Sequence, residues 1–457
     1  LKRSLHHDSI YLLPVFNKFV LYAPLHGITA LINQSAAHIL QDALAGSQQP
    51  ALPVLREWLH IFNQPAGNSP ADYTEEINPE FLGIIPTRSC NSSCVYCDFK
   101  GSTAGSGVIS LNLAVKCVDL YIRHILIRGA DTFSLHFFGG EPMLAPQIVV
   151  AAVHRARLLA MQYNLSAEFE ITSNGQYAKE WACFLGDYFT TVVLSFDGPA
   201  DIQNRHRPCK GGEDSFAAVK QTAEIIGDSQ AALALRVCVS NINVGCMEEI
   251  AQWFCHSFQP AKINFEVLQP SNDAVAAGLQ PPDPYDFAAG FIRARNAAAD
   301  YGVEVVYGSD LSKPQWSSCP VGKEVLILTP DGLLSCCYLL PERWERKKMN
   351  LTIGQIQDTM VIDQDALKAV REIVRVKPRC ERCFCRWSCA GGCHVDQTFP
   401  GCSPGYTEFC HQTRLITMAS LLEQLDRRKE TVVLAGSLSE MRRLAEQPSD
   451  RLIDWSI

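Results

Sequence analysis

Between Phe81 and Leu268, short runs of β-branched, leucine and aromatic residues alternate with longer stretches in which apolar residues recur every three or four positions. The first pattern is that of a buried strand and the second that of an amphipathic helix. The strands it predicts are Phe81–Pro86, Phe133–Phe138, Glu168–Thr172, Val192–Phe196, Leu235–Ser240 and Ile263–Leu268, with helices over stretches such as Leu111–Ile127 and Pro146–Met161. Alternation of this kind builds an α/β fold with a parallel sheet, and six units make a partial (β/α)6 barrel. Active sites of such barrels lie at the C-terminal ends of the strands, so the loops there are where chemistry is sought.

The first 66 residues carry a different pattern. Ile10–Val15, Phe19–Tyr22 and Ile28–Ile32 read as short strands split by Asn17 and Gly27. Ser35 is placed to cap a helix over Ala36–Leu44, with Ile39, Leu40 and Leu44 on one face, and a second helix, Leu52–Phe62, groups Leu55, Leu59 and Phe62. Gly67–Thr74 reads as a linker, so residues 1–75 form a small module of their own. Beyond the barrel, Gln269–Pro284 is Pro-rich and linker-like, and a helix (Tyr285–Tyr301) and a strand (Val303–Tyr307) follow. Leu415–Leu425 is helical, and Ser437-Leu-Ser-Glu440 is a capping box opening a last helix. Residues 415–457 therefore read as a helical tail that packs.

Composition narrows the class. The chain has 457 residues, 47% hydrophobic and 19% charged, enough for a large core, and its formal net charge of -8 gives no general pull toward nucleic acid or an anionic membrane. A local basic patch is compatible with that total. No apolar run reaches spanning length, and the first residues lack a secretory pattern, so the cytoplasm is the default location. Nineteen cysteines are many for such a chain, and ten of them lie between Cys319 and Cys410. Clustered thiols without an export signal point to metal rather than to disulfides.

One cluster stands directly after the first barrel strand, in Cys90-Asn-Ser-Ser-Cys94-Val-Tyr-Cys97. Three thiolates on one short loop hold three irons of a cubane that normally takes four cysteines. The missing ligand leaves one iron open to something that is not protein. A zinc knuckle is the bland alternative, but zinc favours paired C-x2-C hooks and four protein ligands. The next thiol, Cys117, falls in a helical pattern.

The spacing, with Tyr96 before the last cysteine, resembles the motif of radical S-adenosylmethionine (SAM) enzymes, in which the open iron chelates SAM and its reductive cleavage gives a 5′-deoxyadenosyl radical. Other segments extend the resemblance. Gly139-Gly140-Glu141-Pro142 matches that family's G-G-E-P motif, whose carboxylate and carbonyls would accept hydrogen bonds from the SAM ammonium. Thr172-Ser-Asn174-Gly175 looks like its T-N-G turn. Ser195-Phe-Asp197-Gly198 is similar to its S-x-D-G segment, making Ser195 the candidate for the ribose. Arg207 aligns with an arginine that pairs with the SAM carboxylate, with Arg205 as the alternative register. Leu268 marks the strand whose backbone lines the adenine site. Gly101–Gly107 reads as a flexible connection.

Downstream, Cys319, Gly332-x4-Cys337, Cys380-x2-Cys383-x5-Cys389-x3-Cys393 and Cys410 match the seven-cysteine signature of the SPASM domain, with Leu351–Ile356 resembling its short Gly-Asn-Ile strand. The resemblance implies two auxiliary [4Fe–4S] clusters, one held by Cys319, Cys337 and Cys393, the other by Cys380, Cys383, Cys389 and Cys410. The first lacks a further cysteine after Cys319; Cys336, Cys385 or Cys402 supplies it, or the iron is open. Two zinc ribbons are the alternative. Sulfatase-maturing relatives have an acidic base after the cysteine aligned with Cys337; here Tyr338 stands there, and Tyr338, Asp98 and Glu266 are the weak candidates for a base.

The expectation is thus a radical SAM core over 76–300, a SPASM domain over 301–414 and three [4Fe–4S] clusters. The N-terminal module resembles the winged-helix-like recognition element that binds leader peptides by strand addition. The resemblance implies an oxidoreductase that modifies a ribosomally made precursor peptide by cross-linking, in C–C, thioether or ether form, fed by an electron donor such as flavodoxin or ferredoxin. Sulfatase-type formylglycine formation, a small-molecule SPASM enzyme and a non-enzymatic zinc-binding protein are the competing readings. The remaining thiols, Cys117, Cys183, Cys209, Cys238, Cys246 and Cys255, read as buried small hydrophobes.

Overall fold

The computed structural model describes residues 9–46, 49–97, 107–308, 311, 313–397 and 406–425. Three antiparallel strands, β1 (Tyr11–Val15), β2 (Lys18–Ala23) and β3 (Ile28–Asn33), form a separate sheet in that order. Helices α1 (Gln34–Leu44) and α2 (Pro53–Phe62) follow. The cap of α1 is Asn33, whose Oδ1 accepts from the Ala36 amide at 2.9 Å, and not Ser35. Asn33 is the last residue of β3, so strand and helix join without a loop and the cap falls two residues early. Ile39, expected on the buried face, is exposed; Ala37 and Leu40 are covered instead.

The module is not set apart from the rest. Alternate residues of its sheet face two ways. Ile10, Leu12, Leu21 and Ala23 pack with Leu40, Leu59 and Phe62. Tyr11, Leu13, Val20 and Tyr22 join the main core. A buried bond from Trp387 Nε1 to Ser9 Oγ (2.9 Å) ties the module to the cysteine-rich segment. The stretch after α2 is fastened to the same half: Tyr73 donates to the Gly322 carbonyl at 2.8 Å and Trp316 Nε1 to the Ala71 carbonyl at 2.9 Å.

Six parallel strands carry the barrel: β4 (Leu82–Ile84), β5 (Thr132–Phe137), β6 (Ser166–Ser173), β7 (Thr191–Ser195), β8 (Ala232–Val239) and β9 (Lys262–Val267). They overlap the expected strands, and helices Leu111–Ile127 and Pro146–Tyr163 occupy the expected stretches. Each strand is two-faced. Leu82, Ile84, Leu135, Phe137, Phe169 and Ile171 are packed in the core, while Gly83, His136 and Glu170 lie side by side on the opposite face. That face sets His136 and Glu170 beside the buried apolar cluster of Phe81, Ile85, Val325 and Ile327, and polar groups there are what a rule of buried apolar strands does not anticipate.

The sheet extends beyond six strands. β10 (Glu304–Val306) adds in parallel to β9. At the other edge β11 (Leu326–Leu328) runs parallel to β4, and β12 (Leu333–Ser335), β13 (Thr352–Ile356) and β14 (Met360–Ile362) continue antiparallel. One eleven-stranded sheet thus crosses the boundary expected at 300/301. The stretch read as the linker Gln269–Pro284 contains a short helix, Asn272–Ala276, capped by Ser271. Asp98, Cys402, most of Gly101–Gly107 and the capping box at Ser437–Glu440 lie outside the described residues.

Candidate active site

The cysteine loop after β4 is held by side chains from the ends of the neighbouring strands. Asp197, one residue beyond Phe196 at the end of β7, is fully buried. Its Oδ2 accepts from Tyr96 Oη at 2.6 Å, from Arg207 Nε at 2.9 Å and pairs with His206 Nδ1 at 3.1 Å; its Oδ1 accepts from the Cys238 amide at 2.8 Å. Burial works against the charge, but Arg207, His206 and the amide outweigh it and hold the Asp197 carboxyl well below the usual carboxylate range. His206 Nε2 lies 3.0 Å from Ser240 Oγ, so the network reaches the end of β8. Backbone bonds from Ser93 to Pro208 and from Val95 to His206 fasten the loop along its length.

Glu141 braces the other side. Its carboxylate accepts from the Met143 amide (3.0 Å), Ser173 Oγ (2.9 Å) and the Asn174 amide (2.8 Å). Burial pushes its carboxyl up to about 7, against the pull of those donors. Both oxygens are thus taken up by the chain. The side chain positions the Thr172–Gly175 turn, and the G-G-E-P segment has its carbonyls to offer as well. Gly139 (φ 156°) and Gly140 lie so close to the cysteine loop that a Cβ at either meets the carbonyls of Thr87, Arg88 or Ser89. Asn174 then spans to the loop, donating to Asn91 Oδ1 at 2.8 Å and Ser92 Oγ at 2.9 Å, with Cys90 Sγ 3.7 Å away.

Of the other expected SAM contacts, Ser195 ends β7 and is nearly buried. Leu268 is buried beside Val95 and Tyr96, and its amide is bonded to the Val239 carbonyl. Arg207 does not offer an unengaged fork. Nε is on Asp197, Nη1 lies 3.9 Å from Cys94 Sγ and the guanidinium stands 5.2 Å over the Tyr96 ring. The arginine that sequence aligns with SAM thus also anchors the cysteine loop. Asp197, His206, Asn174 and Tyr96 went unassigned as anchors, although three of them lie inside the motifs already singled out.

The donor set fits a cluster. Burial pushes the Cys94 thiol up to about 12; Arg207 pulls against it, and Cys97 and Cys90 add to the rise. Thiolates gathered this way need a cation, and N–H donors already face their sulfurs, the Ser92 amide 3.3 Å from Cys90 Sγ among them. The downstream thiols fall into two further groups. Cys393 is pushed up by its hydrogen bond to Cys319 and then by burial, and Cys337 by burial and then by Cys393. Cys389 is pushed up by burial and next by Cys380, Cys410 and Cys383. Among the described residues no three His, Cys, Asp or Glu side chains converge as one metal ion requires. In a cubane each thiolate takes a different iron, so its ligands surround a cluster rather than one atom.

Two of the candidates for a fourth ligand sit elsewhere. Cys336 directs its thiol to the Leu351 carbonyl at 3.3 Å, and Cys385 is hydrogen-bonded to Cys383 of the other group. The weak candidates for a base fare as follows. Tyr338 lies over Gly83 with its ring 4.8 Å from Phe138, and burial, then Glu170, pushes its hydroxyl up, so it is neutral and a donor. Glu266 is tied to Arg236 and to Asn264 Nδ2.

Comparison with known proteins agrees with this geometry. The Radical SAM superfamily matches residues 84–254. The chain carries a radical SAM domain. It is homologous to a cysteine-type anaerobic sulfatase-maturating enzyme of Clostridium perfringens, 23% identical over 337 residues, 69% of this chain and 89% of the relative. A radical SAM cyclopropyl synthase, TigE of Paramaledivibacter caminithermalis, is 22% identical over 172 residues, 35% of each chain. A structure of native anSMEcpe with bound AdoMet and Cp18Cys peptide has the same fold (TM-score 0.61, 19% identity, 78% of this chain and 99% of that one). This radical SAM protein is therefore an enzyme of SAM and iron–sulfur chemistry, related to sulfatase maturases and to a cyclopropyl synthase. Among the described residues no helix is long and apolar enough to cross a membrane.

Proposed function

We propose that this enzyme oxidatively modifies a ribosomally made peptide that it recognises through its N-terminal sheet. Cys90, Cys94 and Cys97 hold the SAM-binding cluster, Cys319, Cys337 and Cys393 the first auxiliary cluster, and Cys380, Cys383, Cys389 and Cys410 the second. Bound there, the cofactors supply a 5′-deoxyadenosyl radical and sinks for electrons. The chain's own residues do the positioning. Asp197 and Arg207 fix the cysteine loop, the Gly139–Gly140 backbone approaches the ligand, and Ser195 and Leu268 line its nucleoside end.

The observation that carries the peptide reading is the N-terminal sheet. β3 pairs only with β2 among the described strands, Leu31 is exposed on it, and β1 is buried along its length. An unpaired strand edge is what an extended peptide adds to. The anSMEcpe chain is matched almost whole by 78% of this one, which leaves more than a fifth of this chain outside that match. Co-expression with a short reading frame encoded nearby should give a peptide lighter by about 2 Da, one pair of hydrogens per link. A Leu31→Pro enzyme should bind that peptide more weakly while still cleaving SAM. Peptide returned at unchanged mass, with SAM cleaved to 5′-deoxyadenosine, would remove the cross-linking reading.

The second reading is the maturation of a sulfatase-type cysteine or serine, favoured by the 89% coverage of the Clostridium relative. Tyr338, a neutral hydroxyl where those relatives place an acid, weighs against it. The products separate the two, since formylglycine carries an aldehyde that a hydrazide captures and a cross-link carries none.

A further inference from the structure

The strand register sets a row of charged side chains on the inner face of the barrel, the face turned away from the helix-packed core. Glu168 and Glu170 of β6, Arg236 of β8, Lys262 and Glu266 of β9 and Glu304 of β10 share it. Glu170, Arg236 and Glu266 stand within their strands, yet they keep 37, 35 and 40% of their side-chain surface accessible, so this part of the face is open. Three of the four carboxylates are engaged. Glu168 accepts from Ser134 Oγ at 2.9 Å, Glu266 from Arg236 and from Asn264 Nδ2, and Glu304 pairs with Lys262 at 3.1 Å.

Glu170 is the exception. Among the described residues no donor is hydrogen-bonded to it; His136 Nδ1 stands 3.7 Å from its Oε1, and burial pulls that imidazole down to about 4, so it brings no charge at neutral pH. Lys262 is the cation that acts on Glu170, but Glu304 already holds it, and burial outweighs it and pushes the Glu170 carboxyl up. A carboxylate in this position loses its water when a peptide fills the barrel, at a cost of several kcal/mol unless a counter-charge arrives with the peptide. A neutral donor leaves the charge uncompensated, whereas lysine or arginine brings charge and donor together. The neighbouring wall suits the stem of such a side chain: His136 stacks on Phe81 at 4.0 Å and Tyr338 lies 4.8 Å from Phe138, an aromatic surface that methylenes and cations both favour. The depth fits as well. Thr191, opposite Glu170, precedes Ser195 by four residues, about 13 Å along a parallel strand. A side chain that reaches down to Glu170 leaves its own backbone nearer the level of Ser195.

We infer that Glu170 determines the specificity for the bound peptide, pairing with a lysine or arginine side chain that enters the barrel and so choosing which adjacent residue faces the radical. The inference rests on the peptide reading proposed above and names the class of side chain the peptide has to carry.

The probes are peptides Gly-Ser-Ala-Xaa-Ala-Ser-Gly, acetylated and amidated at their ends, in which Xaa is lysine, arginine, glutamine, norleucine or glutamate. Their affinities for the anaerobically reconstituted, SAM-loaded full chain are measured by isothermal titration calorimetry, with iron content and circular dichroism reporting that each variant is loaded and folded. The lysine and arginine peptides should bind roughly tenfold or more tightly than the glutamine and norleucine peptides, and the glutamate peptide weakest. Glu170→Gln should level lysine with glutamine, and Glu170→Lys should make the glutamate peptide the preferred one, a reversal that a merely structural role would not produce. Glu168→Gln, two positions earlier on the same face, should leave the order unchanged. Equal affinity across the set, absence of binding included, overturns the inference, as does a lysine preference that survives in Glu170→Gln. Binding is read without turnover. A chain that prefers lysine yet returns a co-expressed precursor peptide at unchanged mass fails the proposed function and not this inference, whereas a modified precursor alongside equal affinities fails this inference alone.

Discussion

Tyr96 donates its phenolic hydroxyl to Asp197 at 2.6 Å, joining the cysteine loop to the end of β7 across 101 residues of sequence. The same carboxylate oxygen takes Arg207 and His206, so one buried charge holds the loop, the strand and the following helical turn. An iron-binding loop has to be in place before its thiols can share a cluster. Asp197 is the group that sets that place.

Asp197→Asn should therefore cost more than any single hydrogen bond. It leaves the Arg207 guanidinium buried without its counter-charge, an arrangement worth about 3–5 kcal/mol. Tyr96→Phe removes one charge-assisted bond and should cost about 1.5–3 kcal/mol. Urea unfolding of the two variants and of the double variant measures both, and the double should lose less than the sum. Because the folded carboxyl is depressed, its contribution is complete at neutral pH. It is lost as acid takes the pH below the ordinary carboxylate range toward the depressed folded value.

Glu141 should show the opposite dependence. Its folded carboxyl is raised to about 7 from 4.5, so the folded state holds the proton longer than the unfolded one. Stability then falls as pH rises from about 4.5 to about 7, by on the order of 3 kcal/mol. Urea midpoints across that window should slope down in the native protein and less so in Glu141→Gln; equal slopes would show that another group carries the effect.

The thiol grouping makes a sharp analytical forecast. Cys337→Ala and Cys380→Ala should each lower bound iron by about four atoms per chain, the content of one cluster. Cys336→Ala, next in sequence to Cys337, should leave iron unchanged, because its thiol is turned to the Leu351 carbonyl. Colorimetric iron determination after anaerobic reconstitution distinguishes the neighbours.

Gly83 and Tyr338 should prove coupled. A Cβ at Gly83 would fall against the Tyr338 hydroxyl and ring, so Gly83→Ala should destabilise by roughly 1–3 kcal/mol. Combining it with Tyr338→Leu, which clears the space, should recover part of that loss. Thermal unfolding reads the coupling, and strict additivity would place Tyr338 elsewhere.

Much of this architecture was legible along the chain. Strand after strand announces itself because the barrel buries one face under helices, and Leu135 and Ile171 leave little choice. The thiols are equally legible, since metal chemistry restricts residue type and spacing at once. The polar pair inside the barrel was not: His136 and Glu170 occur within strand-like runs, and only the register across β5 and β6 sets them side by side. The N-terminal sheet reads as an independent module because its helices cover one face in the usual way. Nothing in Tyr11 or Tyr22 reveals that the other face is buried against the cysteine-rich half.

Local sequence by itself determined the strands, the helices and the spacing of the cysteine motifs, because backbone periodicity and motif spacing are properties of neighbouring residues. Tertiary structure alone decided that Glu141 braces a turn, that Arg207 is bound to Asp197, and that Cys336 and Cys385 turn to the Leu351 carbonyl and to Cys383. Each depends on which way a side chain turns among groups far away in the chain, and that is settled by packing and by the cost of leaving a buried charge without a partner.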